Sequence, residues 1–348
     1  MDLLVNPFFM LGATLGDNRR HIVALAEEKN LTTDDATEPA VRDAKAMLIH
    51  PRRRLRAEIS WLPGLRLNTS SAISMLQQDP VQVRSLVRVP SLARANLLAA
   101  GLIRVVDQLP KGEVVQWILE LAHVHDAITA EPTMTLLNEE RSAAGFPAIV
   151  DLQMVDAELR SQRQYYGQAI KKALDRLPSR LLIEVVTIAI DEATSHGDNQ
   201  APILIDDLVD GFEVEAQGFF EKETETIQVL VQRIRRAAEH NEGHEHISRL
   251  VSQLENVVRN WDQVAQPIQV SARSRGTDHD LSHEIARWIR SLAVDLFNEH
   301  YLLAISRRLT EFQRVVFAEV DSVVEQSQED ATAFNEIAKR NEIAKRRA

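Results

Sequence analysis

Residues 247–268 read ISRLVSQLENVVRNWDQVAQPI. Along this stretch Ile247, Leu250, Leu254, Val257, Trp261, Val264 and Ile268 alternate steps of three and four residues. That spacing returns to one face of an α-helix at every step, whereas a strand alternates its faces every two residues. Leu302, Ile305, Leu309, Phe312 and Val316 repeat the pattern, and Ile227, Leu230, Val231 and Ile234 mark a third amphipathic helix before them. Polar breaks fall at Asn241-Glu242-Gly243 and around residues 274–280. The pattern predicts long antiparallel helices joined by short turns, as in a helical bundle or coiled coil. Both seams suit either an internal hairpin or a homodimer. Pro267 should kink or end its helix, because it lacks the backbone N–H.

Composition extends the helical reading to the whole chain. Among 348 residues there are only 12 glycines and 12 prolines, against an average usage of about 12% for the two together. A β-sandwich needs a turn about every 8–12 residues, so the expected fold class is all-α. There is no cysteine. Disulfide frameworks, thiolate catalysis and Cys-ligated metals are thereby excluded, and a cytoplasmic location is expected. No apolar run approaches the roughly 18 residues of a membrane span, and Met1-Asp2-Leu3-Leu4-Val5-Asn6-Pro7 lacks the basic start of a signal peptide. The net charge of −11 makes bulk nucleic-acid binding a weak expectation. Against that acidic background, residues 42–66 carry seven basic and two acidic side chains, and the last fourteen residues carry five and two.

The expected organisation is a small unit at 1–66, a helical middle region at 67–200, a long-helix bundle at 201–330 and a charged helical tail at 331–348. In the first unit, Asp17 should cap a helix running to about Asn30. The polar Thr32-Thr33-Asp34-Asp35 follows, and a second helix should start near Thr37. In the middle region, helices are expected from Ser70 or Ser71, Pro80 and Ser91, over Lys111–Ile128, and over 151–177. The dense apolar run Leu181–Ile190 reads as a buried helix, since no second strand is available to pair with it. In the tail, Asn335–Arg340 repeats as Asn341–Arg346; two copies of six residues extend a helix rather than build a solenoid.

One resemblance emerges from the N-terminal residues. Asn6-Pro7-Phe8-Phe9-Met10-Leu11-Gly12 is followed by a helix opening at Asp17, then by Ala44, Leu48, His50-Pro51, Arg52, Arg54-Leu55 and Arg56. In order and spacing this resembles a J-domain, the co-chaperone module of the DnaJ family, over about 60 residues. The resemblance implies a small antiparallel helical fold and docking to a DnaK-type chaperone. The family's His-Pro-Asp tripeptide is absent: His50-Pro51 lies at a later junction and is followed by Arg52. The segment between Asn30 and Pro39 also reads as too short for the usual second helix and loop. The Gly/Phe-rich linker and cysteine-rich zinc module of full-length DnaJ proteins are absent too.

The candidate partner-binding residues are Arg52, Arg53, Arg54, Arg56 and Trp61. Clustered guanidinium groups suit an acidic partner, and arginine and tryptophan are enriched at interface hot spots. Three histidine clusters are considered for metal and set aside. Glu239–His246 is broken by Gly243, His123 and His125 point to different helix faces, and His279/His283 lacks a third ligand, with Asp278 or Asp280 expected as a helix cap. No phosphate-cradling glycine loop or nucleophile elbow appears. The expectation is therefore a non-enzymatic adaptor with no catalytic residue, cofactor or metal, binding a protein partner or a second copy of itself. The rival expectations are a co-chaperone of a DnaK-type ATPase and a sensor or adaptor in bacterial antiviral defence.

Overall fold

A computed structural model describes residues 1–32, 38–65 and 68–347, and among them it contains helices and no strand. The fold is all-α. In chain order the helices are α1 (Pro7–Leu11), α2 (Arg19–Thr32), α3 (Glu38–Ile49), α4 (Pro51–Ile59), α5 (Thr69–Gln78), α6 (Ser91–Val105), α7 (Lys111–Asp126) and α8 (Ala130–Ala144). They continue as α9 (Leu152–Leu174), α10 (Ser179–Thr194), α11 (Ile203–Glu239), α12 (His244–Ser274), α13 (Asp280–Asn298), α14 (Leu303–Val316) and α15 (Asp321–Arg347). No described helix is long and apolar enough to cross a membrane.

The contacts group the chain into two compact units, Met1–Val185 with Pro202–Leu208, and Val186–Ala201 with Val209–Ala348. The chain passes from one unit to the other between residues 185 and 209, and residue 66 lies inside the first. Leu55 and Ile59 of α4 share one core with Leu92, Leu137, Ile149 and Val155 of the following helices. The boundary at 330 falls inside α15, which runs through it unbroken.

In the first unit, short helices are fixed by their ends. Asn6 accepts a hydrogen bond from the Phe8 N–H at 2.9 Å, Pro7 occupies the first turn, and Gly12 closes α1 with a positive φ of 68°. This helix is an addition to the expected layout. Residues 33–37, including the expected start at Thr37, lie outside the described residues. The cap of α2 is Asn18, whose side chain accepts from the His21 N–H at 3.0 Å. Asp17 instead accepts from the Thr14 N–H. α6 is buried along most of its length and packs against α7 and α9.

In the second unit, α14 packs on α12, α13 and α15. The seam residues Ile247, Leu250, Leu254, Trp261 and Ile268 are buried, but Val257 and Val264 are only half-buried, and Val258 and Ala265 take the inner positions. An undistorted helix turns every 3.6 residues, so a strict 3.5-residue stripe drifts out of the core. Ile305, Leu309, Phe312 and Val316 are buried. These apolar seams are thus filled within the chain. Arg308 of α14 clamps Glu255 of α12 through two 2.7 Å hydrogen bonds. α12 passes through buried Pro267 and ends at Ser274, so the proline does not terminate it. The apolar run 181–190 is helical, within α10.

Candidate functional site

Helix α4 carries the sequence's densest arginine cluster and divides it. Pro51 starts the helix, and His50 Nδ1 accepts from the Arg53 N–H at 3.4 Å. Arg52, Arg53 and Arg56 follow at helical spacing on one exposed face. Arg54, Leu55, Ala57, Glu58 and Ile59 are buried.

Arg54 is therefore not a docking residue. Its side chain is 0% exposed. Nε donates to Glu58 Oε1 at 2.7 Å, Nη2 to the Leu15 carbonyl at 2.9 Å and Nη1 to the Leu48 carbonyl at 3.4 Å. The guanidinium lies 4.0 Å from the Phe146 ring centroid and 5.0 Å from that of Phe8. Burial pulls its pKa below the usual arginine value, and the Glu58 carboxylate opposes that pull. A buried cation needs a counter-charge and hydrogen-bond acceptors, and Arg54 has Glu58 beside it and one acceptor at each of its three nitrogens.

Glu58 is shared. Arg141 of α8 donates Nε to Oε1 at 3.1 Å and Nη2 to Oε2 at 2.7 Å. Arg141 Nη2 also donates to the Pro51 carbonyl at 2.9 Å. One carboxylate thus holds two guanidinium groups and fixes α4 against α8.

Trp61 is also internal, at 3% exposed, with its ring stacked 5.9 Å from Phe8. The Trp61 carbonyl accepts from Asn96 Nδ2 at 2.6 Å. Asn6, the first residue of the quoted Asn-Pro-aromatic stretch, donates Nδ2 to the Ala57 carbonyl at 2.9 Å and to Ser60 Oγ at 3.1 Å. The N-terminal motif and the arginine segment therefore belong to one assembly. Of the five candidates, Arg52, Arg53 and Arg56 face solvent, and none of the three makes an ion pair among the described residues.

Sequence reading missed Asn96 and Arg141. Asn96 has no local signal: its importance comes from the carbonyls of Ile59 and Trp61, some 35 residues away in the chain. Arg141 lies on α8, a helix with little amphipathic patterning, which the sequence did not mark.

The histidine clusters resolve as follows. Glu239–His246 spans the turn between α11 and α12, with Gly243 at a φ of 88°. His125 lies edge-on to Tyr166 at 5.9 Å and lines a cavity of about 260 Å³ with Gln162 and Arg163. Burial lowers its pKa. His279, not an aspartate, is the residue before α13. It stacks on Trp261 at 6.2 Å, and burial lowers its pKa to about 4. Among the described residues, no group of three His, Asp or Glu side chains is placed to hold a metal ion.

Compared with known proteins, the chain matches no family, no curated protein and no solved structure.

Proposed function

We propose that this chain is a non-enzymatic adaptor whose J-domain-like N-terminal helices present a basic face to an acidic protein partner. The observation that carries the reading is the division of labour on α4. One arginine is consumed by the interior, and the other three stand exposed and unpaired on the same rigidly held helix. Helices anchored by Glu58, Arg54 and Arg141 lose little conformational freedom on binding, which favours recognition by preorganisation. The resemblance to the J-domain is supported by the order of α1 to α4 and by the packing of α3 against α1, α2 and α4.

The test is affinity capture from the native host with the wild-type chain and with an R52E/R53E/R56E variant, partners being identified by mass spectrometry. A stoichiometric protein held by the wild type should be lost at least tenfold by the variant, while circular dichroism shows unchanged helix content. Equal retention would overturn the proposal. A DnaK-type ATPase as the main partner, with its hydrolysis stimulated, would turn the reading to a co-chaperone acting without the His-Pro-Asp tripeptide.

A further inference from the structure

The surface of the second unit changes sign along α11 and α13. Before Gln228, a groove of about 710 Å³ is lined by Glu213, Glu221, Glu225, Asp278 and Asp280, and by no lysine or arginine. After Gln228, a groove of about 590 Å³ is lined by Arg233, Arg235 and Arg236 beside Trp288, and by no carboxylate. Gln228 lines both. The two helices run in the same direction. Arg235 Nη2 lies 2.9 Å from Asp295 Oδ2 and donates to Ser291 Oγ at 2.8 Å, while residues 278–281 flank the earlier part of α11.

Arg233 and Arg236 are exposed and make no ion pair among the described residues, and the same holds for Glu213 and Glu225. Apolar surface is interleaved with these charges: Val214 is 73% exposed and Val229 51%. Like charges gathered on one helix face repel one another unless an opposite charge covers them. A partner of one sign would be repelled by half of this strip. A partner carrying both signs, in reverse order, would be attracted along its whole length.

The chain itself is such a partner. We propose that the α11–α13 strip is an isologous interface between two copies, laid antiparallel about a two-fold axis near Gln228. The acidic half of each copy covers the basic half of the other. A two-fold interface presents one patch twice, so the patch must complement itself. Across such an axis residues 221–225 of one copy lie opposite residues 231–235 of the other, so that Glu221 and Glu225 face the stretch that carries the unpaired Arg233, with Arg236 next to it. From Glu213 to Arg236 the helix spans about 35 Å at 1.5 Å per residue, and two adjacent helices are about 20 Å wide. The strip therefore offers on the order of 700 Å², close to the roughly 800 Å² per partner of a standard interface. The interface is independent of the Arg52, Arg53 and Arg56 face, which belongs to the other unit.

Sedimentation velocity on the full chain tests this, across about 1–50 μM at about 50 mM salt, where screening is weak. A species of twice the 39.2 kDa chain mass is expected. R233E/R236E should weaken self-association at least tenfold, and so should E221R/E225R. The two variants mixed should form a heterodimer, and all four changes in one chain should restore the homodimer. The milder R233Q/R236Q replaces the first variant if charge reversal unfolds the chain. A wild-type monomer throughout this range overturns the proposal, as does a dimer indifferent to both pairs of substitutions. Helical charge-reversed variants that do not recombine also overturn it.

Discussion

Arg141 and Glu58, 83 residues apart in sequence, form a two-pronged ion pair inside the first unit, with Nη2 to Oε2 at 2.7 Å and Nε to Oε1 at 3.1 Å. Glu58 simultaneously accepts from Arg54. Removing this carboxylate leaves two buried guanidinium groups without a counter-charge. Loss of one member of a buried pair costs about 3–5 kcal/mol. Glu58→Gln should therefore lower the unfolding midpoint of the first unit sharply in urea titration monitored by circular dichroism. Arg141→Met, which leaves Arg54 and Glu58 paired, should cost less. Equal, small effects for both would show that the network contributes little.

A second interior network joins α4, α6 and α9. Asn96 Nδ2 donates to the carbonyls of Ile59 and Trp61, and its Oδ1 accepts from Gln162 Nε2 at 2.7 Å and Tyr166 Oη at 2.6 Å. All four bonding positions of the amide are used. Asn96→Leu conserves size but strands these partners, and buried unsatisfied groups cost about 1–3 kcal/mol each. With four partners stranded, a loss of about 4 kcal/mol or more is expected from denaturant unfolding. Tyr166→Phe removes one bond only and should cost about 1 kcal/mol.

These two networks show where sequence reading stops. Helix periodicity is a local property, so the seams around Trp261 and Phe312 were legible, as was the apolar run of α10. Arg52, Arg53, Arg54 and Arg56 look alike as a string of charges. Only the pitch of α4, together with a carboxylate four residues on and an arginine on α8, separates Arg54 from its neighbours. Trp61, a binding candidate in the sequence, is internal for the same reason: its burial depends on Phe8, more than 50 residues earlier. The sign reversal along α11 was present in the sequence. It became a surface feature only once α13 was seen alongside.

Asp262 of α12 supplies a pH dependence. Burial pushes its carboxyl up from 3.8 to about 7, the Glu319 carboxylate adds to the rise, and a weak hydrogen bond from Gln269 opposes it. Below about pH 4 Asp262 is protonated in both folded and unfolded chains, and its contribution is intact. As pH rises from about 4 to 7 the unfolded chain is ionised while the folded carboxyl stays protonated, so stability falls across that window and levels off above it. Asp262→Asn should therefore have no effect near pH 3.5 and should raise the melting temperature at pH 8. Three pKa units correspond to an upper bound of about 4 kcal/mol, with solvent screening reducing it. A variant equally stabilised at both pH values would show that the charge is irrelevant.

Two helical glycines should respond in opposite directions to the same change. In the interior of α6, a Cβ added at Gly101 would lie 2.8 Å from Trp117 Cζ2 and 3.1 Å from Val83 Cγ2. Trp117 cannot swing aside freely, because its indole N–H donates to the Leu98 carbonyl at 2.9 Å and the ring is fully buried. Overpacking a core costs about 1–3 kcal/mol, which exceeds the gain of about 0.5–1 kcal/mol from replacing glycine in a helix. Gly101→Ala should therefore destabilise the chain. In α11, an added Cβ at exposed Gly211 meets nothing within 4 Å. Only the helix-propensity term acts there, and Gly211→Ala should stabilise by about 0.5–1 kcal/mol. Thermal unfolding of the two variants side by side decides the matter. If Gly101→Ala also raised the melting temperature, the contact between α6 and α7 would have to be looser than the distance to Trp117 implies.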